Sequence, residues 1–175
     1  SYIYRQLLMR NTSGRRIGST RKGRSRSGLS MVEMLIVLSV IGVVLAIAIP
    51  NFLRSRHDAK IKEARAQLEM ISAAILQLAW DTGRWPAGID RTIQGNAESW
   101  DLNAASAGLL DKTSKFPNWE GPYVAKIPKD PWGMPYFFDP DYRVDGKFRA
   151  VVGSFGPNRY GRNVYDKDNI YIIVK

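Results

Sequence analysis

The sequence predicts an α+β fold: one long N-terminal α-helix, its first half membrane-embedded, packed on a small C-terminal antiparallel β-sheet. Three observations carry this. An apolar stretch runs without a break from Met34 to Ile49, a helical periodicity comes after it, and the C-terminal third alternates turn dipeptides with aromatic and β-branched runs. A chain of 175 residues has room for one modest globular core beside such a helix.

The formal charge of +10 is unevenly placed. Residues 1–28 hold Arg5, Arg10, Arg15, Arg16, Arg21, Lys22, Arg24 and Arg26 and no acid, which leaves 18 basic against 16 acidic residues in the remainder. The globular part is therefore close to neutral, and no nucleic-acid partner is expected, because that would need a basic stripe on the exposed domain. The absence of cysteine excludes disulfides, thiolate metal sites and thiol nucleophiles. The single histidine, His57, sits among helix charges and supplies neither a zinc site nor a triad. No carboxylate pair has a recognisable catalytic context, so an enzyme is not expected.

Leu29 to Ile49 are 21 residues whose only ionisable group is Glu33. At about 1.5 Å per residue they reach roughly 30 Å, the thickness of a hydrocarbon core. A buried helix of a soluble domain would show a polar stripe, and Met34 to Ile49 shows none. The basic residues ahead of the span favour a cytoplasmic N-terminus, although Arg54, Arg56, Lys60, Lys62 and Arg65 stand beyond it with Asp58 and Glu63. An ordinary secretory signal would be cut after its apolar run at small residues, and here the run ends in "AIPNFLRSRH". The small-residue break precedes the run, at Gly28.

Pro50 either kinks a continuing helix or ends it. Beyond it Ile61, Ala64, Leu68, Ile71, Ile75 and Leu78 recur in steps of three and four, an amphipathic face turned to a core. The expectation is one helix from about Leu29 to Trp80, with 29–50 as transmembrane and assembly segment and 51–81 as its amphipathic continuation. Gly83 and Pro86 stop it.

Residues 82–175 form the globular domain. Residues 87–118 predict an irregular loop with one short helix. Strands are expected near Met134–Phe138, Phe148–Ser154 and Ile170–Val174, with Asp145-Gly146 as a hairpin turn. Trp119, Trp132 and Tyr136 are expected to pack in the core beneath the helix.

The stretch "GLSMVEMLIVLSVIGVVLAIAIPNF" resembles the class III signal of type IV pilins and pseudopilins: a basic leader ending in Gly, a hydrophobic residue, Glu as the fifth residue after the Gly, and a later Pro. Leu29 stands where that family usually has Phe. The resemblance implies that a membrane prepilin peptidase cuts between Gly28 and Leu29 and methylates the new N-terminus. The leader is then residues 1–28, with Met9 the expected start of translation. Within it "GSTRKGRS" has phosphate-loop glycine spacing, but Arg24 replaces the Lys and no strand precedes it.

Two accounts of Glu33 stand side by side. The resemblance implies that this acid meets the free N-terminal amine of a neighbouring subunit during filament assembly. Alternatively, Ser30-x-x-Glu33 is a capping box that starts the helix. Capping alone does not call for an acid at membrane depth, where an ionised carboxylate is costly, so the assembly role is favoured.

"DTGRWP", "NWEGPYVAKIPKDPWGMPYFF" and "DKDNIYIIV" narrow the resemblance to the major pseudopilin of type II secretion. It implies a structural subunit of the inner membrane with its C-terminal domain in the periplasm, polymerised into a periplasmic pseudopilus that supports protein export. The implied partners are further copies of the chain, the prepilin peptidase, minor pseudopilins, the inner-membrane secretion platform, and membrane lipid before assembly. A type IV pilin or minor pilin for adhesion, motility or DNA uptake is the alternative. The resemblance further implies calcium in the C-terminal loop, for which Asn158, Asp166, Asp168 and Asn169 are the candidate ligands. Arg159, Arg162 and Lys167 make this loop more basic than is usual there. Asp139, Asp141 and Asp145 have some of the oxygen count but lack the twelfth-position Glu of an EF-hand, and are expected to serve turns.

Overall fold

Helix α1 spans Met31–Thr82. The computed structural model describes residues 28–92, 97–162 and 166–175; the leader, apart from Gly28, lies outside them. The chain divides into two units with the boundary after Val44.

In the first unit, the described residues 28–44 are all exposed, with Met31 at 84% and Leu38 at 60% of full accessibility. Seventeen successive positions with no polar face and no burial have no stable arrangement in water.

In the second unit α1 continues through Pro50, so the proline does not end the helix. Its ring removes one N–H donor and leaves the ladder otherwise to continue on both sides. Burial begins at Ala64, then Leu68, Ile71, Ala74, Ile75, Leu78 and Ala79, close to the spacing read from the sequence, with Ile61 only half-buried. Gly83 closes the helix at φ 68°, donating its N–H to the Ala79 carbonyl at 3.0 Å. Such a left-handed residue just past the last turn is the commonest helix stop, and glycine takes it without steric cost.

Strand β1 (Arg84–Trp85) turns through Pro86–Gly88 and pairs with β2 (Ile89–Asp90). The short helix expected in 87–118 is a single 3₁₀ turn at Ala105–Ala107. The main sheet has the antiparallel order β3-β4-β5, from Phe137–Val144, Lys147–Ser154 and Ile170–Ile173. Asp145 (φ 49°) and Gly146 (φ 75°) make the two-residue turn between β3 and β4, with Val144 opposite Lys147. Two left-handed residues match the twist of the flanking strands.

The first strand differs from the expectation of Met134–Phe138. Met134 donates its N–H to Asp130 Oδ1 at 2.7 Å, its carbonyl accepts the Asp130 N–H at 2.8 Å, and Pro135 has no N–H to give. Met134 to Tyr136 therefore leave the ladder, and β3 starts at Phe137. It then passes Pro140 through a register shift between Asp139 and Tyr142, as proline within a strand demands.

Side chains alternate across the sheet. Tyr136, Phe138 and Val152 join Leu68, Ile71, Ile75 and Leu78 of α1 with Trp85, Leu102, Leu109 and Phe116 in the main core. Each large side chain buried there contributes about 1.5–3 kcal/mol over leaving it exposed. Phe137, Tyr142, Val151 and Phe155 form a second cluster, against which Trp100 packs. Trp132 is buried and Trp119 half-buried against the main core, its Nε1–H donating to the Gly108 carbonyl at 2.7 Å. Trp119 and Tyr136 thus serve packing in the main core, whereas Phe148 and Tyr160 are exposed.

Candidate functional site

Gly28, Leu29 and Ser30 lead into the first turn of α1, all exposed. A Cβ built on Gly28 would touch nothing within 4 Å, so the fold itself does not call for glycine there. Met34 donates its N–H to the Ser30 carbonyl at 3.1 Å, which makes Ser30 the N-cap. Glu33 Oε2 accepts the Ser30 N–H at 3.4 Å. This is one arm of the capping box, and it is long for a hydrogen bond. The carboxylate also sits at the positive end of the helix dipole. Capping therefore occupies one carboxylate oxygen weakly and leaves Glu33 exposed for a second partner. Leu29 lies one residue before the cap, and Pro50 lies inside α1 near the end of the apolar stretch.

At the other end of the chain, the loop joining β4 to β5 carries the four candidate metal ligands. Asn158 and Asp166 are brought together: Asn158 Nδ2 donates to Asp166 Oδ2 at 2.7 Å. Asn158 Oδ1 accepts the Tyr160 N–H at 2.8 Å, and Asp166 Oδ1 accepts the Asp168 N–H at 3.0 Å. Asn169 turns its Nδ2 to the Tyr142 hydroxyl at 3.1 Å, away from that pair's hydrogen bond. The Asp168 carbonyl lies against Gly156, where a Cβ would stand 1.9 Å from it. Carboxylate and amide oxygens are the donor set of a hard cation. In this chain the Asn158 and Asp166 oxygens also hold the loop closed through the turn bonds typical of Asn and Asp.

A second group of acids was only partly visible in the sequence. Asp139 and Asp141 are joined by Glu98 from the preceding loop, with one oxygen of each within 4.8 Å of the others. Asp139 Oδ1 accepts the Asp141 N–H at 2.9 Å, so the turn role expected for this pair is present. Asp145 serves the hairpin turn instead. The signal that Glu98 belongs here is the isolated bridge Ser99↔Phe138, a long-range pairing that no local pattern announces.

Asp130, in the "KDPWG" block, is a buried carboxylate with three hydrogen-bond donors. It is 4% exposed and accepts from Trp132 N–H at 3.0 Å, Met134 N–H at 2.7 Å and Ser154 Oγ–H at 2.5 Å. It folds the loop onto the end of β4. Nothing about it is arranged for chemistry on a substrate.

The chain is similar to known proteins of one family. A family model described as "Type II secretion system (T2SS), protein G" matches residues 51–163, and one described as "Prokaryotic N-terminal methylation motif" matches residues 23–49. The type II secretion system core protein G of Pseudomonas aeruginosa is 30% identical over 117 residues, 65% of this chain and 72% of its own length. That of Xanthomonas campestris pv. campestris is 28% identical over 149 residues, 83% of this chain and 90% of its own. A crystal structure of the major pseudopilin from the type 2 secretion system of enterohaemorrhagic Escherichia coli is 18% identical, covering 68% of this chain and 87% of its own at a TM-score of 0.48. With a methylation motif over the start of α1 and the protein G model over most of the chain beyond Pro50, the chain belongs to the type II secretion system protein G family.

Proposed function

We infer that this chain is the structural subunit of a type II secretion pseudopilus, cut between Gly28 and Leu29, held in the inner membrane by Leu29–Ile49 and polymerised through α1 to support protein export. The observation that carries the reading is the fully exposed apolar start of α1, with the lone acid Glu33 in its first turn, ahead of a separately packed domain. Before assembly, lipid covers that surface. In the filament, neighbouring copies replace the lipid, and Glu33 selects register by pairing with the amine that cleavage creates at Leu29 of the adjacent copy. An unpaired carboxylate in an apolar layer is costly, so subunits that miss the register are disfavoured. Glycine at position 28, which the fold does not require, is then read by the peptidase.

The direct test is the intact mass of the protein from cells with and without a co-expressed prepilin peptidase. Loss of everything through Gly28, with one methyl added, supports the reading. An uncut chain, or a cut after Ile49, would reduce the segment to a plain anchor or an ordinary export signal.

The loop between β4 and β5 is part of the same reading. Asp166, Asp168 and the amide oxygens of Asn158 and Asn169 are the oxygens a calcium ion would use, the two amide nitrogens being held by Asp166 and Tyr142. A bound ion would add cohesion to a loop that packs on the end of β4.

A further inference from the structure

The part of α1 just beyond the apolar stretch is exposed from Asn51 to Ala59. Within it and one residue past it stand Arg54, Arg56 and Lys60 against a single acid, Asp58. Such a cluster needs a reason. Basic residues on the translocated side of a span work against the orientation that the leader promotes.

Depth and direction supply one. At about 1.5 Å per residue, Arg54 lies roughly 8 Å and Arg56 roughly 10 Å along the helix beyond Ile49. The headgroup layer adds about 5–8 Å to each side of the hydrocarbon, and long basic side chains bend back several ångströms along apolar surface. The Arg54 and Arg56 charges therefore fall at the level of lipid phosphates, and Lys60, roughly 16 Å beyond Ile49, comes to their outer edge by bending back. Phe52 (61% exposed) and Leu53 (60% exposed) lie between them and the apolar stretch, and the Arg56 guanidinium sits 5.8 Å from the centre of the Phe52 ring. An aromatic body at the boundary with a cation reaching past it is an interfacial arrangement.

At about 100° per residue, Arg54 and Arg56 point some 200° apart around the helix, and Lys60 lies near Arg56. The cations thus lie on two opposite sides of α1. A protein partner docking from one direction would meet one or two of the three, whereas an annulus of lipid meets all three.

We propose that Arg54, Arg56 and Lys60 form a juxtamembrane collar that binds the phosphates of anionic phospholipid while the subunit is stored in the bilayer. The proposal rests on the membrane-span reading of Leu29–Ile49. Anionic headgroups neutralise the collar and fix how far α1 emerges, and the subunit leaves them behind when it enters the filament.

The test uses the full chain reconstituted in vesicles of phosphatidylcholine and phosphatidylglycerol at equal mole fraction without calcium. The chain is extracted in mild detergent, and its retained lipid is read by native mass spectrometry. Phosphatidylglycerol is expected to be retained several-fold over phosphatidylcholine. The triple variant Arg54→Gln, Arg56→Gln, Lys60→Gln, which keeps good helix formers at two exposed positions and one half-buried one, should bring the ratio to one. The exposed control Lys112→Gln, Lys126→Gln, Lys129→Gln should leave it unchanged.

A ratio near one in the parent, or a preference that survives the triple variant, overturns the collar. So does loss of the preference on adding inorganic phosphate, which would make this a site for free phosphate. So does a triple variant that keeps its phosphatidylglycerol yet no longer forms filaments, which would give the cations to a neighbouring copy. If alkaline carbonate strips the parent chain from the vesicles, the membrane reading itself fails and the collar with it. Retention without preference removes the collar alone.

Discussion

The Ser154 hydroxyl donates to Asp130 Oδ2 at 2.5 Å, across 24 positions of sequence, with both residues buried. Ser154 Oγ also accepts the Gly156 N–H at 3.0 Å, so one hydroxyl ties the "KDPWG" loop to the end of β4 and to the start of the β4–β5 connection. Asp130→Ala strands three buried donors, and we expect it to cost about 2–4 kcal/mol. Ser154→Ala should cost about 1–2 kcal/mol. Urea melts of the two variants and the double variant would show coupling, with the pair losing less than the sum. Strict additivity would separate the two residues.

Tyr136 links the sheet to α1 by donating its hydroxyl to Gln67 Oε1 at 2.5 Å. Burial pushes its phenol well above the ordinary value near 10, with the charges of Asp130 and Glu63 adding to the effect. A raised folded-state pKa means that the folded protein holds the proton more tightly than the unfolded chain. This contribution is complete below about pH 10 and is lost progressively as pH rises above it. Tyr136→Phe should melt about 1 kcal/mol lower at neutral pH, and the gap should close or reverse in alkaline solution. Parallel pH profiles for the two proteins would contradict this.

Gly156 is at φ 73°, and an added Cβ would lie 1.9 Å from the Asp168 carbonyl oxygen, a backbone atom that cannot swing aside. Gly156→Ala should therefore destabilise the domain by about 2–4 kcal/mol. Gly133, also at positive φ (90°) but with nothing within 4 Å, is the matched control. Its alanine variant should lose only the backbone preference, about 1–2 kcal/mol. Equal losses at the two positions would remove the steric argument.

Glu33→Leu should leave membrane retention and the cut at Gly28 intact while filaments fall to background. The apolar surface is preserved and only the register-selecting charge is gone. Glu33→Gln keeps the weak helix cap but not the ion pair. Its filament yield, counted by electron microscopy, separates the two accounts: yield at the parent level assigns Glu33 to capping, and loss assigns it to assembly.

If calcium binds the β4–β5 connection, millimolar calcium should raise the melting temperature and a chelator should reverse it, with Asp166→Ala insensitive to both. Calcium that binds only the folded state at a hundredfold excess over Kd is worth about 2.7 kcal/mol, several degrees for a domain of this size. A melting temperature that ignores calcium leaves the closure of the loop to the Asn158–Asp166 hydrogen bond.

The sequence by itself determined the features that repeat at short range. The membrane-length run with Glu33 near its start, the helix through Leu78 and its stop at Gly83, the Asp145-Gly146 turn and most of β4 and β5 all arise from residues within a few positions of each other. Helical periodicity and glycine at positive φ are local physics, and the match to the N-terminal methylation motif is carried by linear sequence. Tertiary structure decided what depends on groups far apart in the chain. The start of β3 moved to Phe137 because Asp130 takes both hydrogen bonds of Met134. Glu98 reached Asp139 and Asp141 through the Ser99↔Phe138 bridge, and Asn158 found Asp166 while Asn169 found Tyr142. Each of these is a competition for a hydrogen bond between groups on different elements, and its outcome is set only when packing has brought both within about 3 Å.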